Sequence, residues 1–255
     1  MEGLMDTAKT VIMDFSGIYR EQEFHKGKDT VWIQGEDIPG TNCYCDSEAM
    51  ECIRRRIGGF SPEGIHFIDS GNYHYLTRIW LEKLDEPFRL LVFDNHTDMQ
   101  PPAFGGLLSC GGWIRSALEE IPGLLEVILV GPDEEAFSRV EPEFQKKVRF
   151  LSREHLVFMN KSERQEFFRE IPSGEPLYIS IDKDVLNKKN ADTNWSQGDM
   201  SLEELLEDLK AVLETFGDRI LGVDICGECD SLEGGDCRLN DLSNRKLLEL
   251  FQGEY

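Results

Sequence analysis

The feature that most constrains how this chain folds is a series of short, continuous apolar runs separated by stretches with helical periodicity. Continuous apolar runs are typical of strands that are covered on both faces, as in a parallel sheet. The runs that we predict to be strands are Thr10–Phe15, Gly64–Asp69, Phe88–Asp94, Glu126–Val130, Lys147–Leu151, Leu177–Asp182 and Arg219–Ile225. The stretches that we predict to be helices are Ser47–Ile57, Tyr75–Leu84, Gly112–Glu120, Lys161–Glu170, Leu202–Phe216 and Ser243–Phe251. This alternation predicts an α/β fold with a mainly parallel sheet.

The clearest helix signal is the stretch Leu202–Phe216. Ser201 and Glu204 form a capping box before an apolar stripe of leucines, and Gly217 ends the pattern. No repeat, low-complexity tract or flexible linker divides the chain, so we predict that residues 1–255 form a single domain. The least regular part, Glu21–Asn42, is predicted to be a loop or lid near the sheet edge.

The charge balance restricts the partners that the chain can have. It carries 27 Lys and Arg residues against 49 Asp and Glu residues, a net charge of -22. Such a chain repels phosphate backbones and anionic membrane surfaces, so we expect neither nucleic acid nor a membrane as a partner. Acidic surfaces suit cationic small molecules and divalent metals. The sequence does not fix the oligomeric state and leaves a homo-oligomer open.

Three features predict a reduced, cytoplasmic protein. The stretch Met1–Asp6 carries acids where a signal peptide would carry Lys or Arg. The longest apolar runs, such as Leu124–Val130, are too short to span a bilayer. The cysteines number seven, and an odd number in a chain of this length does not indicate a disulfide framework.

The strongest chemical signal is an Asp-x-His-x-Asp motif formed by Asp94, His96 and Asp98, directly after an apolar run. Side chains at i, i+2 and i+4 of an extended chain lie on one side. The three side chains should therefore converge at the carboxyl end of a buried strand, where open α/β sheets place their active sites.

A second acidic pair, Asp182 and Asp184, ends the apolar run that begins at Leu177. If the two strand ends are neighbours, four carboxylates crowd into one crevice, which is unfavourable unless cations lie between them. Two divalent cations would balance the charge, and oxygen and imidazole donors suit Mn²⁺ or another octahedral ion better than a structural zinc. Strand alternation turns Lys183 away from such a site, so it needs an acidic partner or a route to solvent.

Two further motifs occupy strand ends. His74 follows the run that ends at Asp69, and its strand-end position favours a ligand over a packing role. Asp224-Ile-Cys-Gly-Glu228 places Glu228 just past the last predicted strand. Cys226, Cys229 and Cys237 lack a fourth ligand at zinc spacing, so we expect no zinc knuckle. Ser180 has no evident His–Asp partners in the sequence, which does not support a serine hydrolase.

In this order the four motifs resemble those of the arginase/agmatinase/formiminoglutamase (ureohydrolase) family. The family's Gly-Gly-Asp-His is similar to the segment ending in His74, its Asp-Ala-His-x-Asp to Asp94-Asn-His96-Thr-Asp98, and its Ser-x-Asp-x-Asp to Ser180-Ile-Asp182-Lys-Asp184. Its terminal Asp-x-x-Glu resembles the segment ending in Glu228. The resemblance covers residues 64 to 228 and includes a glycine loop, Trp195–Glu204.

The resemblance implies a three-layer α/β/α sandwich that holds two divalent ions, with manganese as the expected metal. The implied ligands of one ion are His74, Asp94, Asp98 and Asp182. The implied ligands of the other ion are Asp94, His96, Asp182 and Asp184, so that Asp94 and Asp182 bridge. The implied reaction is hydrolysis of a C–N bond in a linear guanidino or amidino compound by a metal-bridging hydroxide. Asp98 would carry the proton to the departing amine, and Glu228 would hold the cationic guanidinium.

Two other functions stay open. Zinc deacetylases have a related fold and an Asp-x-His motif, and they use one ion to cleave an acetyl amide; His74, Asp98 and Asp184 argue against this because one zinc does not need them. A catalytically inactive metal-binding protein is the non-enzymatic alternative. It is suggested by the stretch 99–113, which contains no histidine where the family has its proton shuttle, and by Gly227, inserted before Glu228.

Overall fold

A computed structural model describes residues 10–102, 106–229 and 237–253. Its centre is an eight-stranded sheet in the order β2, β1, β4, β10, β9, β5, β7, β8, in which each pair of neighbours is parallel. Two short strands, β3 and β6, form a separate antiparallel pair. The strands are β1 (Thr10–Asp14), β2 (Thr30–Gln34), β3 (Tyr44–Cys45), β4 (Ile65–Phe67), β5 (Phe88–Phe93), β6 (Leu108–Ser109), β7 (Leu124–Val130), β8 (Val148–Leu151), β9 (Leu177–Asp182) and β10 (Ile220–Cys226).

Helices cover both faces of the sheet and complete three layers. The α-helices are α1 (Ser47–Ile57), α2 (Leu76–Leu81), α3 (Trp113–Glu120), α4 (Glu134–Ser138), α5 (Pro142–Gln145), α6 (Arg153–Phe158), α7 (Lys161–Arg169), α8 (Leu202–Phe216) and α9 (Cys237–Phe251). Alternate strand residues enter two separate cores: Leu91 and Phe93 pack with α7, α8 and α9, whereas Leu90 and Val92 pack with α1, α2 and α3. The predicted α/β/α sandwich with a mainly parallel sheet is confirmed.

All seven predicted strands and all six predicted helices are present; their end points agree to within three residues, except that α9 begins six residues before the predicted Ser243. The prediction for Glu21–Asn42 was wrong in part, because this stretch contains the edge strand β2. Three residues of β2 are half-buried at the sheet edge, so its apolar signal is weak. The short helices α4, α5 and α6 were not predicted either. The segment Met1–Asp6, on which the signal-peptide argument rests, lies outside the described residues.

The strand order brings the predicted motifs to one edge of the sheet. β5 and β9 are neighbours with Phe93 opposite Ile181, and β9 and β10 are neighbours with Asp182 opposite Cys226. Because all of these strands are parallel, their carboxyl ends and the residues that follow them lie side by side. Within the described part of the chain, no helix has the length and apolar character needed to cross a membrane.

Candidate metal centre

The first motif begins where β5 ends. The backbone N–H of His96 donates to Asp94 Oδ1 over 2.6 Å, which stabilises the turn out of the strand. Asp98 has a left-handed backbone with φ of 48°. The indole Nε1 of Trp113, a buried residue of α3, donates to Asp98 Oδ2 over 2.6 Å. The turn and the indole together hold Asp94 and Asp98 in a fixed orientation.

The second motif is tied to the first by backbone hydrogen bonds. Asp184 N–H donates to Asp182 Oδ1 over 2.9 Å, and Asn95 N–H donates to Asp184 Oδ1 over 2.9 Å. The second bond joins the end of β5 to the end of β9. Four aspartates that the sequence placed in two separate motifs, Asp94, Asp98, Asp182 and Asp184, are thereby brought into one buried cluster.

His74 lies at the centre of one group of potential ligands. Its Nδ1 is 3.1 Å from Asp98 Oδ2, 3.2 Å from Asp94 Oδ2 and 3.6 Å from Asp182 Oδ2. On the other side of the ring, Nε2 is 2.9 Å from Ser180 Oγ. A hydrogen bond from Nε2–H to this hydroxyl leaves Nδ1 with a lone pair that faces the carboxylates, the arrangement that metal-binding histidines use.

His96 is the centre of a second group. Its Nδ1 is 2.8 Å from Asp184 Oδ2 and 3.4 Å from Asp94 Oδ1. The ring is 34% exposed, and its Nε2 is 2.9 Å from Ser196 Oγ. Asp94 therefore faces both groups, with one oxygen toward each histidine.

The residues present fit divalent metal ions. His74 Nδ1 and Asp94 Oδ2 are buried atoms without a hydrogen-bond partner, and they lie 3.2 Å apart. Potential ligand atoms of His74, Asp94 and Asp98 lie within 4.8 Å of one another, as do those of Asp94, His96 and Asp184. Buried polar atoms without a partner are costly, and a cation between them would remove that cost.

Burial and mutual repulsion dominate the electrostatics of the cluster. Burial together with the charge of Asp94 raises the pKa of Asp98 to about 7. Burial and the charges of Asp182 and Asp94 hold the pKa of Asp184 well above its usual range. Burial lowers the pKa of His96, but hydrogen bonds and charge from Asp184 and Asp94 outweigh it and raise that pKa to about 12. The cluster thus attracts positive charge, whether protons or metal ions.

A cavity of about 210 Å³ opens above the cluster. Its floor includes Asp94, Asp98, Asp182, Asp184 and His96. Its remaining lining residues are Cys43, Tyr44, Gly71, Gln100, Ser109, Cys110, Gly111 and Trp195. The volume suits a compact polar group better than a large ligand.

Glu228 does not lie in this cavity. It is 1% exposed, and both of its oxygens have partners: Lys183 Nζ and Asn244 Nδ2 donate to Oε1, and Gln22 Nε2 donates to Oε2 over 2.7 Å. The structure thus differs from the expectation that Glu228 holds the substrate, because β10 ends in a turn that directs this side chain to Lys183. Of the two expectations for Lys183, an acidic partner or a route to solvent, the structure shows the first: the buried lysine pairs with Glu228.

Ser180 has a histidine neighbour that the sequence did not suggest. The chain of contacts from Ser180 Oγ to His74 Nε2, and from His74 Nδ1 to Asp98, resembles a Ser-His-Asp triad. Ser180 is nevertheless fully buried within β9 and is absent from the cavity lining. A substrate cannot reach its hydroxyl, so the geometry gives Ser180 the role of orienting His74.

One potential ligand was missed by the sequence analysis. Cys226 Sγ lies 3.3 Å from Asp182 Oδ2, in a group with His74 and Asp182 whose ligand atoms are all within 4.8 Å of one another. The residue is 44 positions from Asp182 in sequence, and only the parallel pairing of β9 and β10 sets them side by side. The sequence signal that could have identified Cys226 is its position at the end of a strand, as for Asp94 and Asp182.

Comparisons with known proteins identify the family and the fold. A family model described as the arginase family matches residues 64–227. An uncharacterized protein of Thermotoga maritima is 35% identical over 237 residues, which cover 93% of this chain and 87% of that relative. Two solved structures share the fold. Proclavaminate amidino hydrolase from Streptomyces clavuligerus has a TM-score of 0.70 and 17% identity, and the match covers 97% of this chain and 91% of that protein. Arginase from Bacillus cereus has a TM-score of 0.72 and 14% identity, and the match covers 98% of this chain and 99% of that protein.

Fold, buried donor cluster and comparisons together define the class of this protein as a metal-dependent hydrolase that acts on C–N bonds outside peptides. The arginase family model matches residues 64–227, which are more than half of this chain. The chain belongs to the arginase family.

Proposed function

We propose that this arginase-family chain hydrolyses a C–N bond of a linear, cationic guanidino or amidino compound, with water activated between two divalent ions. The proposed ligands of one ion are His74, Asp94, Asp98 and Asp182. The proposed ligands of the second ion are Asp94, His96, Asp182 and Asp184. Two divalent ions at such a site lower the pKa of a bound water and stabilise negative charge that develops on the substrate.

The observation that carries the proposal is the position of Asp94. Its Oδ2 lies 3.2 Å from His74 Nδ1, and its Oδ1 lies 3.4 Å from His96 Nδ1. A carboxylate with one oxygen toward each ligand group has the orientation that bridging requires. A single-zinc deacetylase would need only one of the two groups, so this arrangement favours the two-ion reaction.

Asp98 is the residue to which we assign proton transfer. It lines the cavity, and the hydrogen bond from Trp113 Nε1 fixes the orientation of its carboxyl group. Stretch 99–113 contributes Gln100, Ser109 and Cys110 to the cavity wall but contains no histidine. Asp98 would therefore be the group on the cavity side that accepts a proton from the activated water and passes it to the departing amine.

The cavity also suits a positively charged substrate. Carboxylates form its floor, and Trp195, which is 43% exposed, presents an aromatic ring on its wall. With two ions bound, the four floor carboxylates are charge-balanced, so the attraction of a guanidinium or amidinium group comes from the overall net charge of -22 and from stacking on the indole face. Because Glu228 lies elsewhere, we assign recognition of the cation to the cavity wall and not to Glu228.

The test combines metal content with product release. The full chain is stripped with a chelator, reloaded with Mn²⁺, and assayed for urea, ammonia or amine release from linear guanidino and amidino compounds. Oxygen and imidazole donors make Mn²⁺ the appropriate first choice. Asp94→Ala should lose both ions by elemental analysis and fall to the background rate, whereas Asp85→Ala, on an exposed residue, should keep both properties.

Other results would support the alternatives. Full metal content in Asp94→Ala would contradict the bridging role. One zinc per chain with acetate released from acetylated amines would favour the deacetylase. Two bound ions without turnover of any compound in the panel would favour a catalytically inactive metal-binding protein.

A further inference from the structure

Cys226 occupies a position in the metal cluster that the motif-based ligand set does not use. It is the last residue of β10, is fully buried, and lies opposite Asp182 in the sheet register. Its Sγ is 3.3 Å from Asp182 Oδ2 and belongs to one group of potential ligand atoms with His74. The sulfur is therefore on the same side of the sheet as the carboxylates.

An independent feature shows that a ligand is expected at this point. His74 Nδ1 is buried and has no hydrogen-bond partner, although the ring is held in place from its other side by Ser180. The partnerless Asp94 Oδ2 lies 3.2 Å from the same nitrogen. A cation bound there would satisfy both of these partnerless buried atoms, and Cys226 shares a group of potential ligand atoms with the same histidine.

The residue after Cys226 keeps the sulfur in this position. Gly227 has φ of 91°, and a Cβ built there would lie 2.4 Å from Asp182 Oδ1 and 2.7 Å from the backbone nitrogen of Lys183. Only glycine allows the backbone to approach Asp182 so closely. The same turn sends Glu228 away to Lys183, so that Cys226 is the last side chain of β10 near the cluster.

We propose that Cys226 binds the ion at the His74 position as a thiolate and that this position selects zinc over manganese. The proposal rests on the proposed function, because it needs a metal at this cluster. On binding, the thiol loses its proton to solvent and a sulfur–metal bond forms, with no change in oxidation state. Thiolate and imidazole favour Zn²⁺, whereas the second group, which contains Asp94, His96 and Asp184, offers no sulfur and suits Mn²⁺.

Cobalt(II) provides a direct probe, because it takes zinc sites and reports its ligands by absorption. The stripped full chain is titrated with Co²⁺ in a reductant that contains no thiol. Visible ligand-field bands report binding of the ion, and a near-ultraviolet charge-transfer band reports a thiolate ligand. Wild type should show both. Cys226→Ser should lose the near-ultraviolet band, keep visible bands and lose Zn²⁺ affinity by at least about 10- to 100-fold, the range seen for supporting groups around metals.

Cys52→Ser is the matched control, since Cys52 lies on α1, outside the potential ligand groups of the described residues. This variant should show the same two bands and the same Zn²⁺ affinity as wild type.

Visible bands without a near-ultraviolet band in wild type would overturn the thiolate ligand and leave the proposed function standing. Absence of both bands would instead contradict the metal site on which the proposed function depends. If Cys226→Ser does not fold by circular dichroism, the wild-type spectrum and a Zn²⁺/Mn²⁺ competition on wild type decide the question. Equal retention of both metals would overturn the selectivity.

Discussion

Lys183 and Glu228 form an ion pair that is closed off from water, with side-chain exposures of 0% and 1%. Asn244 contacts both partners, donating to Glu228 Oε1 over 2.7 Å and accepting from Lys183 Nζ over 2.9 Å. An ion in such surroundings depends on its counterion, because water cannot replace the lost charge. The pair also joins the ends of β9 and β10 to α9, so its integrity affects the edge of the sheet that carries the buried aspartates and His74.

We predict that Glu228→Gln lowers the free energy of unfolding by about 3–5 kcal/mol, the usual cost of leaving a buried charge without its partner. The variant should retain the substrate KM of wild type, because Glu228 lies outside the cavity. Denaturant unfolding and steady-state kinetics measure the two quantities. The double variant Lys183→Met/Glu228→Gln should recover much of the loss, since it removes both charges.

Glu214→Gln is a suitable comparison, because Glu214 is 68% exposed and its contact with Arg169 is 3.5 Å long. Glu214→Gln should change the free energy of unfolding by no more than about 0.5 kcal/mol. A Glu228→Gln protein with wild-type stability and a strongly raised KM would restore the original expectation that Glu228 holds the substrate.

Among the elements, α8 is the helix whose limits are most directly encoded. Ser201 Oγ accepts from Glu204 N–H over 3.2 Å, and Glu204 Oε2 accepts from Ser201 N–H over 2.8 Å, so the predicted capping box is confirmed. The same helix is joined to α7 through Arg164, which donates to Glu204 and to Asp208. The N-terminus of α8 therefore matters for the layer that covers β9 and β10.

We predict that Ser201→Ala destabilises the protein by about 1 kcal/mol, the usual cost of losing an N-cap side chain. Metal content should not change, because the cap is not part of the cluster. Thermal unfolding together with elemental analysis tests this. Ser162→Ala, an exposed position in the first turn of α7, is the control and should be neutral. A Ser201→Ala protein as stable as wild type would mean that Glu204 and Arg164 hold the helix start without the cap.

The elements show which parts of the fold a sequence can predict. Central strands such as β5 and β9 are covered on both faces, so their apolar runs are continuous and easily recognised. The edge strand β2 is half-buried over Thr30, Val31 and Trp32 and has no comparable run. The helices α5 and α6, of four and six residues, were not predicted, because so few turns show no clear period.

The same limit applies to the site. Asp94, His96 and Asp98 could be recognised because one strand end holds all three within five residues. Their convergence with Asp182 depended on β5 and β9 being neighbours. The sequence analysis could only assume this pairing, because strand order is not visible in the motifs. The position of Cys226 beside Asp182 depended on the pairing of β10 with β9. The burial of Glu228 depended on Gln22 and Asn244, which are more than 200 residues apart in sequence. Contacts set by strand order and by distant elements are not visible in a local motif.

At the scale of the whole molecule, the metal ions should contribute to stability. Four aspartates share one buried cluster in a chain of net charge -22, so the folded state concentrates negative charge that the unfolded chain disperses. Cations that bind only the folded state stabilise it by about 2.7 kcal/mol at 100 times the dissociation constant and by about 4.1 kcal/mol at 1,000 times. When the ions leave, protons take up part of their role, because the pKa of Asp98 is raised to about 7 and that of His96 to about 12, so the loss of stability is smaller than four unpaired charges alone would give.

We therefore predict that removing the metal lowers the melting temperature by roughly 5–16 °C, because each kcal/mol corresponds to about 2–4 °C in a chain of this size. Differential scanning calorimetry with and without excess chelator measures the change, and elemental analysis confirms that the ions have left. Asp94→Ala provides the internal control, since a protein that has already lost its ions should melt at the same temperature with and without chelator. If wild type loses its metal and keeps its melting curve, the cluster tolerates its own charge, and neutralisation of crowded carboxylates is not the reason that the ions bind.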